Sequence, residues 1–307
     1  MPRNQAYLDA EAQAFRRYGL APTVRPLAPT WAPTQPSVRL RVAEVGRGEE
    51  PVLFLHGFGL CVANWTPLVQ RLPYVRSIML ELPGHGTADA VDFRGVDLRG
   101  WFDAMLSGCM DALGLDAVHV VGHSQGAMFA LWLALAAPER VRSVVAIGVP
   151  AVAFGARIEA LRLLARPGLG PLLLWLPWPQ PAYRRILAGT MGQAAVRDYP
   201  DLVRATYLAT HRSGYARTVS TELRELFRGF DVQPPQYALR DDELRSIAQP
   251  VLVLWGEGDT SFQATADARA RVALMPHGRF EVMAGEHSPW LDDPAACAGQ
   301  MATLYDR

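Results

Sequence analysis

Ser124, Asp259 and His287 are the residues of this chain whose types and surroundings point to chemistry. Ser124 is the centre of Gly122-His123-Ser124-Gln125-Gly126, which follows the apolar run from Val118 to Val121 and precedes a run of helical character. A serine on a sharp strand-to-helix turn is held in a strained backbone geometry that lifts its hydroxyl above the sheet edge. Glycine flanks it because a side chain at either neighbour would strike the adjoining strand or helix. A serine alone is a poor nucleophile at neutral pH, so a base is needed, and an acid to orient that base. The apolar run Val251 to Trp255 leads into Gly256-Glu257-Gly258-Asp259, setting Asp259, with Glu257 as its rival, in a loop after a buried strand. Gly285-Glu286-His287-Ser288-Pro289 sets His287 in another such loop. In a parallel sheet these loops open at the carboxyl edge, so the three side chains are expected to converge.

The elements that must position them follow from pattern. Pro51 to Leu55, Ser77 to Leu80, Val118 to Val121 and Val144 to Ile147 are short apolar runs that read as buried parallel strands, with Val251 to Trp255 and Arg279 to Met283 as two later ones. Between the earlier runs lie helix-length segments, Asn64 to Leu72, Leu98 to Leu113 and Gln125 to Ala137, closed by proline or glycine. Val38 to Val45 alternates, with Arg39 and Arg41 opposite Val38, Leu40 and Val42, and predicts a half-exposed antiparallel edge strand. Ala6 to Tyr18 predicts a short amphipathic helix, and Pro22, Pro26, Pro29, Pro33 and Pro36 an extended arm after it. Apolar residues at helical spacing between Pro150 and Pro250 predict a helical insertion between two strands of the sheet. The expected organisation is an arm over 1–36, a doubly wound α/β core over 37–150 and 246–307, and a helical insertion over 151–245.

Composition narrows the chemistry. Half of the 307 residues are hydrophobic, enough to bury a large core. Thirty basic residues balance thirty acidic ones, so no net field favours nucleic acid or an anionic membrane, and a small neutral substrate fits better. All thirty basic residues are arginine. Without lysine there is no phosphate-loop lysine, no Schiff base and no pyridoxal chemistry. Cys61, Cys109 and Cys297 are widely spaced and form no CxxC pair, and no histidine pair has the HExxH spacing; no disulfide framework, metal or other cofactor is expected. The polar start, Met1 to Leu20, does not resemble a secretory signal, and the lipophilic stretch Leu161 to Leu176 is broken by Arg162, Arg166, Pro167, Gly168, Gly170 and Pro171. A cytoplasmic location without a membrane span is expected, and oligomeric state is left open.

Four motifs in chain order carry a family resemblance: Leu55-His56-Gly57-Phe58-Gly59, Leu82-Pro83-Gly84-His85-Gly86, the serine pentapeptide, and the late acid and histidine loops. With the order Ser, Asp, His, the chain resembles the α/β-hydrolases, in particular the lid-bearing lipase, esterase and epoxide-hydrolase-like group. The resemblance implies a Ser124, His287, Asp259 triad and an oxyanion hole made by the backbone N–H groups of Phe58 and Gln125. It implies cleavage of small to medium, largely apolar carboxylic esters, with lactones and thioesters as variants. The alternatives are carbon–carbon bond hydrolysis or cofactor-free haloperoxidase or perhydrolase chemistry on the same triad, and a ligand sensor of the same fold. Three departures bear on this. Ser124 stands where epoxide hydrolases and haloalkane dehalogenases carry aspartate, His123 where carbon–carbon hydrolases often carry asparagine, and Glu286 where glycine is usual before the histidine. His56, His85, His119 and His123 read as structural. Leu172 to Leu176 with Trp175 and Trp178 reads as the insertion's own core, with some of these side chains expected to line an apolar pocket.

Overall fold

The computed structural model describes residues 2–29, 38–149, 159–176, 178–211, 213–231, 236–259 and 265–305. Eight strands form one sheet: β1 (Thr23–Leu27), β2 (Leu40–Val45), β3 (Pro51–Leu55), β4 (Arg76–Glu81), β5 (Val118–His123), β6 (Val141–Ile147), β7 (Val251–Gly256) and β8 (Gly278–Met283), in the spatial order β1-β2-β4-β3-β5-β6-β7-β8. β2 runs antiparallel to both its neighbours, β1 and β4, and the remaining neighbouring pairs are parallel. The inner parallel strands such as β3, β5 and β7 are buried on both faces, because helices cover both. Successive residues of one strand enter opposite layers. Leu53, Val120 and Val253 join one apolar cluster, while Phe54, Val121 and Leu254 join the other.

Helices follow the strands in alternation. α1 (Pro2–Arg17) precedes the sheet; α2 (Thr66–Val69), α3 (Leu98–Leu113) and α4 (Gln125–Ala136) cross between strands. Among the described residues seven more lie between β6 and β7: α5 (Glu159–Leu164), α6 (Leu169–Trp175), α7 (Gln180–Met191), α8 (Gln193–Asp198), α9 (Pro200–Thr210), α10 (Ser213–Asp231) and α11 (Asp241–Ser246). α12 (Thr265–Val272), α13 (Pro289–Asp292) and α14 (Pro294–Tyr305) complete the chain. Phe102 of α3 stacks on Phe129 of α4 with ring centroids 3.7 Å apart in one layer, and Trp65 stacks on Trp290 at 4.6 Å in the other. No helix among the described residues is long and apolar enough to cross a membrane.

Three expectations need correction. β2 is antiparallel but is not the edge, because Thr23–Leu27 pairs along it. Pro26 is tolerated in β1 because an edge strand uses its ladder on one side only; Pro33 and Pro36 lie outside the described residues. Asn64 to Leu72 forms not one helix but a 3-10 turn over Val62–Trp65 followed by the single turn of α2. Arg41, expected in solvent, is buried, because α1 lies across that face of β2. Its guanidinium bonds Glu11 of α1 at 2.7 and 2.5 Å and Glu81 of β4 at 2.9 Å, with Tyr7 hydrogen-bonded to both carboxylates. α1 therefore belongs to the core, adding Tyr7, Ala14 and Phe15 to it, and Arg17 ties its far end to Asp201 of α9 at 2.5 Å. Replacing Arg41 by alanine would strand two buried carboxylates without their countercharge. The expected loss is about 3–5 kcal/mol of stability, read as a lowered urea midpoint with an unchanged slope.

Candidate active site

The serine turn is built by close backbone approach. Ser124 has φ 51° and ψ −116°, and it is the non-glycine residue with positive φ among those described. The strain is held by Ser124 N–H donating to Ile147 O at 2.7 Å and by the Ser124 carbonyl accepting the first amides of α4. A Cβ at Gly122 would lie 2.3 Å from the Gly126 oxygen, and one at Gly126 would lie 2.2 Å from the Leu55 oxygen. Both glycines are thus required for β5, the turn and α4 to pack against β3.

His287 and Asp259 meet at the same edge. The loops after β7 and β8 are joined by Glu257 N–H to Met283 O and Gly258 N–H to Gly285 O, each 2.9 Å. Within them His287 Nδ1 lies 2.7 Å from Asp259 Oδ2, and the Asp259 side chain is fully buried. Glu257, its sequence rival, is exposed. The imidazole packs over Gly148, the residue after Ile147: a Cβ there would be 2.9 Å from its Cε1 and Nδ1. The residue that holds Ser124 by its carbonyl and the residue beneath the His287 ring are therefore chain neighbours at the end of β6.

The loop after β3 closes over the serine, where a Cβ on Gly57 would stand 3.0 Å from Ser124 Cβ. Among the described residues neither the Phe58 nor the Gln125 N–H is spent on a backbone carbonyl. Backbone donors left uncommitted beside a nucleophile suit a developing oxyanion.

Two further histidines, His56 and His123, hold these loops. His56 Nδ1–H donates to Gly57 O and its Nε2 accepts Leu82 N–H, and burial brings its pKa down to about 4. His123 Nε2–H donates to His287 O at 3.1 Å, and its ring lies 4.7 Å from both His287 and Trp290; burial holds it neutral. A role for His123 in fixing the His287 loop was not evident in the sequence, where its position in an apolar strand signals only burial. The Glu286 carboxylate is turned to the insertion and accepts Gln193 N–H at the start of α8.

The insertion reaches this edge at several points. Ser288 Oγ donates to Thr190 O of α7 at 2.6 Å, and Tyr215 of α10 reaches the Gly59 backbone. Glu222 of α10 is buried against the Gln125 side-chain amide. Sequence reasoning missed Glu222, although it sits on the buried stripe Tyr215, Val219, Glu222, Leu226, where a carboxylate is out of place. Leu172 and Trp175, expected to line a pocket, line a cleft with Ala216, Ser220 and Arg224 of α10, where they remain 50% and 61% exposed; Ser124, Asp259 and His287 are not among its lining residues. Arg184 donates to Val196 O and braces α7 against α8.

Comparison with known proteins agrees with this architecture. A family model described as the alpha/beta hydrolase fold matches residues 50–167. The carboxylesterase CesB of Bacillus subtilis superposes with a TM-score of 0.72 over 100% of this chain and 99% of that one, at 18% identity. The chain has the α/β-hydrolase fold. By sequence it is 27% identical over 230 residues, 73% of this chain and 75% of the relative, to a 2-hydroxy-6-oxononadienedioate/2-hydroxy-6-oxononatrienedioate hydrolase of Klebsiella pneumoniae. It is 38% identical over 128 residues to the dihydrolipoyllysine-residue acetyltransferase component of the acetoin cleaving system of Cupriavidus necator; that match spans 40% of this chain and only 32% of the relative.

Proposed function

We propose that this α/β-hydrolase-fold protein is a serine hydrolase that cleaves small to medium carboxylic esters through an acyl-enzyme. The observation that carries the reading is the 2.7 Å His287–Asp259 pair at the sheet edge that also presents Ser124 on its strained turn. His287 Nε2 takes the Ser124 proton as Oγ attacks the carbonyl carbon. The tetrahedral oxyanion is received by the Phe58 and Gln125 N–H groups, and the protonated imidazole returns its proton to the departing alkoxide. Water, deprotonated by the same imidazole, then releases the acid and restores Ser124. The buried Asp259 carboxylate fixes the Nδ1–H tautomer, leaving Nε2 as the base, and offsets the charge the ring gains. The helices between β6 and β7 act as a cap over this chemistry. The water-poor surroundings strengthen each of these interactions.

A second reading, carbon–carbon hydrolysis of 2-hydroxy-6-oxo dienoates, is favoured by the name of the Klebsiella pneumoniae relative. His123 before the nucleophile weighs against it. The two are separated by steady-state rates on p-nitrophenyl butyrate and on a 2-hydroxy-6-oxo-dienoate. Ester cleavage predicts a higher kcat/KM on the first; a higher value on the dienoate overturns the ester reading in favour of the second.

A further inference from the structure

Glu222 is a buried carboxyl group that the triad chemistry does not use. It stands on α10, which is fixed to the core: Thr218 Oγ1 accepts Val91 N–H at 2.9 Å and Thr221 Oγ1 accepts Phe93 N–H at 3.1 Å. Val219 and Leu223 of the same helix enter the apolar layer beneath. So anchored, α10 brings Glu222 onto the Gln125 amide, one residue from Ser124, while Tyr215 meets the loop that carries Phe58. The residue is 3% exposed, and the Gln125 Nε2 donor is its one hydrogen-bond partner among the described residues. The Gln125 Oε1 acceptor is buried with no hydrogen-bond partner among them.

Burying a carboxyl group with one neutral partner beside a second, unsatisfied acceptor is costly for stability, and packing would be served better by leucine at this stripe position. Such costs gather where a ligand supplies the missing partners. We infer that Glu222 and Gln125 form a recognition pair for a neutral hydroxyl group carried on the substrate a few bonds from its reacting carbonyl. The hydroxyl hydrogen is donated to Gln125 Oε1, and the hydroxyl oxygen accepts from the Glu222 carboxyl group. Desolvation raises the Glu222 pKa well above the usual carboxylate range, so the group carries the proton that this contact needs. A substrate carboxylate would find no countercharge in this pair. The inference rests on the serine-hydrolase reading and sharpens its substrate class from plain apolar esters to hydroxy esters.

The test compares kcat/KM for p-nitrophenyl 3-hydroxybutyrate and p-nitrophenyl butyrate in the wild type, Glu222→Gln, Glu222→Leu and Gln125→Met. The wild type is expected to favour the hydroxy ester by about tenfold or more, as a site with buried polar groups discriminates against an analogue that leaves them unpaired. Glu222→Leu and Gln125→Met should each bring the ratio near one, and Glu222→Gln, which keeps a neutral donor, should stay within about threefold of wild type. A wild-type ratio near one, or a ratio unchanged in Glu222→Leu while both rates fall together, overturns the inference and leaves Glu222 a packing residue. Ser124→Ala separates this from the underlying reading. If turnover of both esters depends on Ser124 but shows no hydroxyl preference, only the recognition pair fails; if the wild type turns over neither ester, both fail.

Discussion

Ser124→Ala is expected to lower kcat on p-nitrophenyl butyrate by roughly 10⁴–10⁶-fold with little change in KM. The loss is large because the step removed is the attack itself; the oxyanion donors remain, but nothing covalent forms. Retention of KM is expected because the Ser124 hydroxyl is a small part of any surface that holds the ester. The fold should survive, since alanine keeps the Ser124 N–H to Ile147 O bond and has the same Cβ that serine already places at this positive φ. A variant that lost activity and unfolded in the same urea range as Arg41→Ala would carry no information about the nucleophile, so its unfolding midpoint should be measured beside its rate. An unchanged rate would remove Ser124 from the mechanism.

Asp259→Asn is expected to be nearly as severe, about 10⁴-fold in kcat. The carboxylate can only accept, so it holds the proton on His287 Nδ1 and leaves Nε2 free to act as base. An amide in the same place can present its N–H₂ to Nδ1, which moves the proton to Nε2 and faces the serine with a donor. Since the Asp259 side chain is fully buried, water cannot replace it as orienting acceptor. Glu257, the acid two residues earlier, is exposed and does not offer a buried substitute. A loss of less than tenfold in Asp259→Asn would show that the 2.7 Å contact is structural.

The parts of this arrangement that were legible in the sequence are those in which chemistry is dictated locally. The parallel strands announce themselves because burial on both faces demands uninterrupted apolar runs such as Pro51 to Leu55 and Val251 to Trp255. The serine turn announces itself because two backbone approaches near 2.3 Å leave no choice but glycine at 122 and 126. Asp259 and His287 are found by topology, since loops after parallel strands share one edge. What failed was set by partners distant in the chain. β1 contains Arg25 and Pro26 and is largely exposed, so it has no apolar signature; its pairing with β2 is what makes it a strand. Arg41 alternates like a solvent-facing residue, and only the placement of α1 converts it into the centre of a buried ion cluster. Glu222 could be flagged as an odd member of an apolar stripe, yet its meeting with Gln125 depends on how α10 crosses the sheet edge, which periodicity does not encode. Leu172 and Trp175 do line a cleft, but one beside α10 whose lining does not include Ser124, because the crossing of α6 and α10 is likewise not encoded in periodicity.

The most direct measurement of the central claim is the mass of the enzyme during turnover. Wild-type protein mixed with excess p-nitrophenyl butyrate, quenched in acid on the millisecond scale and digested, is expected to carry a butyryl group on the peptide that contains Ser124, with p-nitrophenol released in a burst matching the adduct, and Ser124→Ala is expected to carry none. Butyrylation of a different residue in step with the burst, or steady turnover with an unmodified Ser124 peptide at every quench time, would contradict it.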